Sequence, residues 1–322
     1  MKPRLVAIVG STASGKSDLA MRLARETGAE ILSCDSLLVY KGLTIGTAKP
    51  SDDELAEVRH HGVDLVELDQ PFTAGDYVRY ARPIVDKAVA ENRPLLIVGG
   101  TGFYLKALVC GTWDAPPTNP GIRAKIESEV ASLAPDERAK TLHARLVKLD
   151  PAYAAKLMVN DVYRVVRALE IIELSGEPVT SMLAKQCLQN PLPYEVPLLG
   201  IRRGSLDLDR RIVERTNAMF SKGLVGETKE LLRHFAGKGA AVPRPFFCVG
   251  YKEVMEHLEG DPEKRRTLPE TRERIVIATR QLAKKQLTFF KGQFTVPIEW
   301  YDLPDRQDAI MARAREVLNA ET

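Results

Sequence analysis

Short apolar runs alternate with amphipathic stretches along the first hundred residues. The runs at 5–9, 31–34 and 94–98 have the length of buried strands, and the first and last of them pass into glycines. The stretches at 18–24 and 76–91 carry apolar residues at helical spacing. The alternation predicts a parallel sheet flanked by helices, in which ligands bind beyond the carboxyl ends of the strands.

The pattern changes after residue 113, where three prolines between 116 and 120 interrupt the chain. The stretch that follows has few strand signals and many helix formers as far as the proline-rich turn at 190–193. A further apolar run at 196–201 predicts a strand that returns to the sheet, and helical patterns dominate from there. We therefore predict a catalytic core of 1–115 and 195–322, with C-terminal helices, and an all-helical insertion domain of 116–194.

Composition limits the class of protein only broadly. The 322 residues are 44% hydrophobic and 28% charged, which is ordinary for a folded globular chain. The net charge of +3 does not itself indicate a nucleic-acid partner, although basic residues cluster at 272–291. The apolar run near the start is too short for a signal peptide, and no later run has membrane-spanning length. We expect a cytoplasmic protein with no membrane partner.

Cysteine spacing and helix patterning add two expectations. The four cysteines are isolated and form no CxxC pair, so neither a zinc site nor a disulfide framework is indicated and free thiols are expected; they are Cys34, Cys110, Cys187 and Cys248. No heptad seam is present, so we expect a monomer, and no protein partner is evident.

The turn after the first predicted strand matches the phosphate-binding pattern GxxxxGK[ST]. It consists of Gly10, Ser11, Thr12, Ala13, Ser14, Gly15, Lys16 and Ser17. Backbone N–H groups and the start of the following helix can face an anion there, Lys16 adds a positive charge, and Ser17 can hold Mg²⁺. We predict a P-loop NTPase-like core whose loop binds two linked phosphates, with Mg²⁺ as cofactor.

This loop does not identify the reaction, because ATP-binding kinases, NTPases and other transferases share it. An NTPase normally has a metal-binding Asp after a later strand, but the run at 95–98 ends in Gly99, Gly100, Thr101 and Gly102 without an acid. Asp35 follows the second strand directly and should face the same sheet edge as Lys16, where its carboxylate could accept a proton. An N-cap of the next short helix is the alternative role for Asp35, and the two roles can coexist.

Motifs along nearly the whole chain resemble the tRNA dimethylallyltransferase family. The first are Gly10 to Ser17, Asp35-Ser36, Ile45 to Pro50 and Gly99 to Tyr104. Later matches are Asp150-Pro151, Asn160-Asp161, Arg164 to Glu170, Val249 to Glu253 and Thr279 to Gln286. Where many members have Gln, this chain has Leu38. If that Gln reads the adenine edge, Leu38 can offer only apolar contact and base recognition must rely on other groups.

The resemblance implies a reaction and its site residues. The donor is dimethylallyl diphosphate, and the acceptor is the exocyclic N(6) amine of the adenosine at tRNA position 37. Asp35 is implied as the general base, while Lys16, Thr101, Arg215 and Mg²⁺ on Ser17 stabilise the leaving diphosphate. From its spacing alone, Arg215 is equally consistent with a solvated or paired surface arginine.

The resemblance also implies contacts to the anticodon stem-loop, whose target base must leave its stack. The implied contacts are Asp35, Ser36, Leu37, Leu38, Thr101, Arg123, Asn160, Asp161, Arg164, Gly250, Tyr251, Lys252, Arg280, Gln281, Lys284 and Lys285. Without the resemblance, the basic residues from 280 to 285 would be interpreted as an exposed helix face. The alternatives are an adenylate isopentenyltransferase, a small-molecule kinase, and an RNA-binding module with a vestigial loop.

Overall fold

The computed structural model describes residues 3–113, 115–185, 190–239, 241–261, 265–294 and 296–319. The chain divides into two compact units, one formed by residues 1–110 and 191–322 and the other by 111–190. The insertion limits predicted from the sequence are 116 and 194. Cys187 lies outside the described residues, while Cys34, Cys110 and Cys248 are free thiols.

One six-stranded sheet organises the first unit, in the order β3-β2-β4-β1-β5-β6. All neighbouring strands within it are parallel. The strands are β1 (Leu5–Gly10), β2 (Glu30–Ser33), β3 (His60–His61), β4 (Leu95–Gly99), β5 (Leu198–Arg203) and β6 (Ile298–Leu303). The predicted α/β class with a parallel sheet is confirmed. The edge strands β3 and β6 were not predicted from the sequence, in which helical patterns dominate the C-terminal region.

Fourteen α-helices surround or follow these strands in the part of the chain that the structure describes. They are α1 (Lys16–Thr27), α2 (Asp52–Glu57), α3 (Ala74–Ala90), α4 (Gly102–Val109), α5 (Pro120–Ser128), α6 (Pro135–Leu149), α7 (Pro151–Ala154), α8 (Val162–Ser175), α9 (Val179–Lys185), α10 (Ser205–Ser221), α11 (Leu224–Gly237), α12 (Tyr251–Glu259), α13 (Leu268–Gln293) and α14 (Gln307–Leu318). A 3₁₀ turn spans Arg244–Phe247. Among the described residues, no helix combines the length and apolar composition needed to cross a membrane.

The central strands are buried because helices cover both faces of the sheet. All six residues of β1 are buried, and alternate residues of this strand belong to two different hydrophobic clusters. Leu5, Ala7 and Val9 pack with residues of α3 and α4, whereas Val6 and Ile8 pack with residues of α1 and α14. Burial on both faces explains why these strands read as continuous apolar runs rather than as alternating patterns.

A third cluster supports the segment that follows β2. Val39 and Leu43 from this segment pack with Phe246, Tyr251 and Ile275, and all five side chains are buried. The helices α10 to α13 therefore hold the segment that carries Asp35 against the sheet.

The second unit contains α5 to α9 around a hydrophobic cluster of its own. Glu170 of this unit is fully buried. Its carboxylate accepts hydrogen bonds from Arg123 Nε at 2.9 Å and Arg167 Nη1 at 2.8 Å. Asp150 is also buried and accepts from the Thr180 backbone N–H at 2.7 Å and its hydroxyl at 2.6 Å. Such paired buried groups fix helix positions, since each would be costly to leave without its partner.

Candidate active site

Four adjacent strands deliver the candidate residues to one edge of the sheet. Since β2, β4, β1 and β5 are parallel neighbours, their carboxyl ends meet there. The P-loop follows β1, Asp35 lies two residues after β2, and Thr101 lies two residues after β4. Gly99 is needed at this edge, because a Cβ on it would lie 1.9 Å from the carbonyl oxygen of Cys34.

The P-loop turns directly into α1 through a left-handed residue. Gly15 has a φ of 93° and precedes the first residue of the helix, Lys16. A residue with a side chain adopts this conformation only with strain, so the glycine permits the turn. The first N–H groups of α1 consequently face the space above the loop, which is the arrangement that binds anions.

Two arginines, one at the end of β5 and one on α10, donate hydrogen bonds to backbone carbonyl groups of the loop. Arg203 Nε donates to the carbonyl oxygen of Ser14 at 2.7 Å, and Arg211 Nε donates to that of Ala13 at 2.9 Å. Asp207 fixes Arg203 through an ion pair of 2.6 Å. Sequence reasoning missed Arg203 and Arg211, because nothing local indicates that β5 lies beside β1.

Lys16, at the end of the P-loop, is half-buried. Its Nζ donates to the carbonyl oxygen of Ser11 at 2.6 Å. Burial lowers the pKa of Lys16 to about 8; the negative charge of Asp35 opposes this effect and the positive charge of Arg215 adds to it. An anion in the loop would restore full protonation, since an opposite charge favours the ammonium form.

Asp35 and Thr101 lie on two turns that are hydrogen-bonded to each other. Thr101 Oγ1 accepts from the Ser36 N–H at 3.0 Å, and the Thr101 N–H donates to the Cys34 carbonyl oxygen at 3.2 Å. Asp35 is half-buried, and its Oδ1 accepts from the Leu37 N–H at 2.9 Å. Asp35 therefore caps the turn at 36–39 and not a short helix, since the next helix along the chain is α2. The helix N-cap alternative is wrong, and the residue lies at the edge shared with Lys16.

Arg215 faces the same region from α10. It is half-buried, lines the cavity described below, and donates from Nη2 to the carbonyl oxygen of Thr47 at 3.2 Å. Burial lowers the pKa of Arg215, while the charge of Asp35 acts in the opposite direction. The alternative of a solvated surface arginine is therefore wrong for this side chain.

These groups line one open cavity of about 1120 Å³ in the first unit. One part is polar and contains the P-loop, Asp35, Thr101 and Arg215. Apolar side chains form another part: Leu38, Phe103, Met219, Phe247, Val249, Ile275, Leu282 and Phe289. Phe103 and Phe247 are 58% and 49% exposed. The cavity can accept an anionic group beside an apolar one.

Of the residues assigned to RNA in the first unit, those from Asp35 to Leu38, Thr101 and Lys285 line this cavity. Gln281 and Lys284 are exposed on α13, and Arg280 on the same helix donates to Asp209 Oδ1 at 3.0 Å. Exposed cations on one helix suit a phosphate backbone, but Arg280 would first exchange its carboxylate partner.

The contacts of the 250–252 motif differ from the RNA contacts implied for it. Tyr251 and Gly250 are buried, so the tyrosine side chain offers no surface to RNA in this structure. Tyr251 instead donates to Glu227 and accepts from the Gly46 N–H at 3.1 Å. The tyrosine therefore supports the segment around Gly46, whereas Lys252 is exposed and lies 3.8 Å from Glu256.

The residues of the second unit for which RNA contacts were predicted differ in their exposure and in the partners they already have. Asn160 is exposed, and Asp161 accepts from the N–H and side chain of the exposed Arg164. Arg123 is instead tied to buried Glu170 and lies 5.3 Å from the ring centre of Tyr163. Arg123 therefore pairs with a buried carboxylate inside this unit, and these contacts leave little of its guanidinium for a ligand.

Residues 38–293 match the family model described as IPP transferase. The chain belongs to the IPP transferase family. It is 41% identical to a tRNA dimethylallyltransferase of Geobacter sulfurreducens, over 96% of this chain and 95% of that one. It is 40% identical to a tRNA dimethylallyltransferase of Myxococcus xanthus, over 91% of each chain. The resemblance inferred from the motifs is confirmed.

Solved structures agree with this membership. The full-length tRNA isopentenylpyrophosphate transferase of Bacillus halodurans is 30% identical, with a TM-score of 0.65 and coverage of 99% of this chain and 97% of that one. A eukaryotic dimethylallyltransferase acting on tRNA is 25% identical, with a TM-score of 0.78 and coverage of 99% and 79%. The P-loop NTPase-like fold class is thereby confirmed for this chain.

Proposed function

We propose that this protein transfers a dimethylallyl group from dimethylallyl diphosphate to the N(6) amine of the adenosine at tRNA position 37. The products are N(6)-isopentenyladenosine and diphosphate. The observation that carries the proposal is the meeting of the P-loop, Asp35, Thr101 and Arg215 in one cavity that also has an apolar wall. Membership of the IPP transferase family, with relatives named for this activity, supports it.

The donor would bind with its diphosphate in the P-loop and its isoprenyl chain on the apolar wall. Helix N–H groups, Lys16 and Arg215 then surround the charge that grows as diphosphate leaves. An exposed Ser17 hydroxyl in the first turn of α1 fits a Mg²⁺ ion that takes its other ligands from phosphates and water, as Mg²⁺ usually does. Within the described residues, no cluster of three His, Cys, Asp or Glu side chains offers an alternative metal site. Bound Mg²⁺ would supply further positive charge beside the diphosphate.

The acceptor amine is a weak nucleophile, and Asp35 is placed to act on it. As the N(6) atom attacks the first carbon of the isoprenyl chain, the carbon–oxygen bond breaks and diphosphate leaves with the electron pair. The Asp35 carboxylate accepts the proton that the amine loses. The hydrogen bond from Ser36 N–H to Thr101 Oγ1 keeps the Asp35 turn beside the P-loop. The general base would therefore stay at a fixed distance from the groups that contact the diphosphate.

The target base must leave its stack in the anticodon loop to reach this cavity. Leu38 lines the cavity and offers the base an apolar contact, so recognition of the adenine edge falls to other groups. Lys284 and Lys285 on α13 would contact phosphates near the opening. The proposal includes action as a monomer in the cytoplasm.

The deciding experiment uses purified protein, Mg²⁺, labelled dimethylallyl diphosphate and an unmodified tRNA with adenosine at position 37. Asp35→Asn is the sharpest variant, because Asn can still accept from the Leu37 N–H but cannot take the proton. We expect label in that single adenosine and a loss of about 10²- to 10⁴-fold in the variant. Asp52→Asn, an exposed change in the first turn of α2, is the matched control and should react normally.

Three outcomes would contradict the proposal. Label in free AMP instead of tRNA would identify an adenylate isopentenyltransferase. ATP hydrolysis or phosphate transfer to a small molecule, without label in RNA, would identify a kinase or NTPase. Full activity of Asp35→Asn would leave the transfer in place but remove Asp35 as the base.

A further inference from the structure

Gln286 joins the two loops that carry the charged and polar groups of the site. Its Oε1 accepts from the Thr12 N–H in the P-loop at 2.7 Å, and its Nε2 donates to the Gly100 carbonyl oxygen at 3.2 Å. Thr12 lies within the P-loop, and Gly100 directly precedes Thr101. One half-buried side chain thus fixes the distance between these loops.

Two glycines allow α13 to approach closely enough for this bridge. A Cβ on Gly100 would lie 2.6 Å from Gln286 Nε2, and a Cβ on Gly102 would lie 2.4 Å from the ring of Phe289. Gln286 and Phe289 are three positions apart and therefore share one face of α13. Gly100 and Gly102 thus form the surface against which this helix packs.

The Gln286 amide satisfies both loops at once, because it carries an acceptor and a donor. A carboxylate can accept from the Thr12 N–H but has no hydrogen to donate to Gly100, and an aliphatic side chain can do neither. The Lys16 and Ser17 end of the P-loop is left free by this contact, so the bridge is compatible with an anion in the loop.

We propose that Gln286 is a positioning residue for the donor diphosphate, which it serves by holding the P-loop and the Thr101 turn at a fixed spacing. This inference deepens the proposed function and rests on the donor site described for it. It assigns to the inner face of α13 a role separate from the phosphate contacts of its exposed lysines.

The test measures binding of inorganic diphosphate with Mg²⁺ by calorimetry, together with thermal unfolding of each variant. Gln286→Leu should weaken diphosphate binding about tenfold, and Gln286→Glu at least as much, since it restores only one hydrogen bond and adds a negative charge. Gln293→Leu makes the same chemical change two turns farther along α13, at an exposed residue, and should bind within twofold of the wild type.

Gly100→Ala provides a second, independent perturbation. The added methyl group displaces the Gln286 amide without changing Gln286 itself, so this variant should reproduce the loss seen in Gln286→Leu. In transfer assays both variants should raise KM for the donor while KM for tRNA is unchanged, a split that general loss of folded protein would not produce.

Each outcome has a distinct meaning. If the wild type binds diphosphate and both variants bind within twofold of it, the role of Gln286 is refuted while the proposed function stands. If the wild type does not bind diphosphate at all, the donor site of the proposed function fails. If the variants lose diphosphate binding but the wild type does not alkylate tRNA, the positioning role holds and the transferase proposal fails.

Discussion

The lowered pKa of Lys16 predicts that donor binding depends on pH near neutrality. With a pKa of about 8, about nine tenths of the Lys16 side chains are charged at pH 7 and about one tenth at pH 9. The last ionisation of a phosphate group has a pKa of about 6, so the diphosphate is already about nine tenths fully ionised at pH 7 and its charge changes little up to pH 9. If only charged Lys16 engages the diphosphate, affinity for dimethylallyl diphosphate falls about tenfold from pH 7 to pH 9.

The same linkage predicts proton uptake. At pH 8, binding should take up about half a proton per molecule, because the bound anion returns Lys16 to its charged form. The assay is titration calorimetry at pH 8 in two buffers of different ionisation enthalpy, repeated with Lys16→Met. A flat affinity between pH 7 and 9, or equal proton uptake in Lys16→Met, would refute the assignment.

In the ligand-free protein, the contribution of Lys16 to stability changes with pH in the opposite direction to the donor affinity. Lys16 has a lower pKa in the folded state than its usual 10.5, so the unfolded chain binds more protons between about pH 8 and 10.5. The contribution of Lys16 to the free energy of unfolding therefore rises with pH across that window. Bound donor removes this rise, since it keeps Lys16 charged in the folded state.

Two further predictions concern stability and are checked by chemical denaturation. Gly99→Ala should lower the free energy of unfolding by about 3 kcal/mol, because its Cβ would meet the Cys34 carbonyl oxygen. Gly226→Ala, at an exposed helical position with open space, should raise it by about 0.5–1 kcal/mol. Equal effects of the two substitutions would contradict the predicted clash. Glu170→Ala should lower the free energy of unfolding by about 3–5 kcal/mol, because it leaves two arginines without their buried carboxylate. Glu173→Ala on the same helix should lower it by about 1 kcal/mol or less. Similar losses in the two variants would show that burial of Glu170 is irrelevant.

Several site residues could be found from the sequence because their signals are local. The P-loop is a single turn between a strand and a helix, and its backbone conformation depends on Gly15 and its immediate neighbours. Asp35 and Thr101 each follow a buried strand, so a parallel sheet brings them to one edge whatever the order of the strands. The family motifs added the chemical roles that periodicity alone left open.

The predicted RNA contacts show the limit of such reasoning. The resemblance implied RNA contacts for both Tyr251 and Arg123, but the Tyr251 side chain is buried against Glu227 and that of Arg123 is tied to Glu170. Burial and ion pairing depend on which elements pack together. A motif match therefore indicates that a residue matters without showing which partner it serves.

The sequence by itself determined the parallel α/β class, the phosphate loop and the acidic residue after the second strand, since each follows from spacing within a few residues. Tertiary structure alone decided that β5 lies beside β1 and that α13 rests on the glycines after β4. Those placements bring Arg203, Arg211 and Gln286 to the P-loop across 189, 198 and 274 positions of chain. Such contacts arise from packing of whole elements, for which short-range spacing carries no signal.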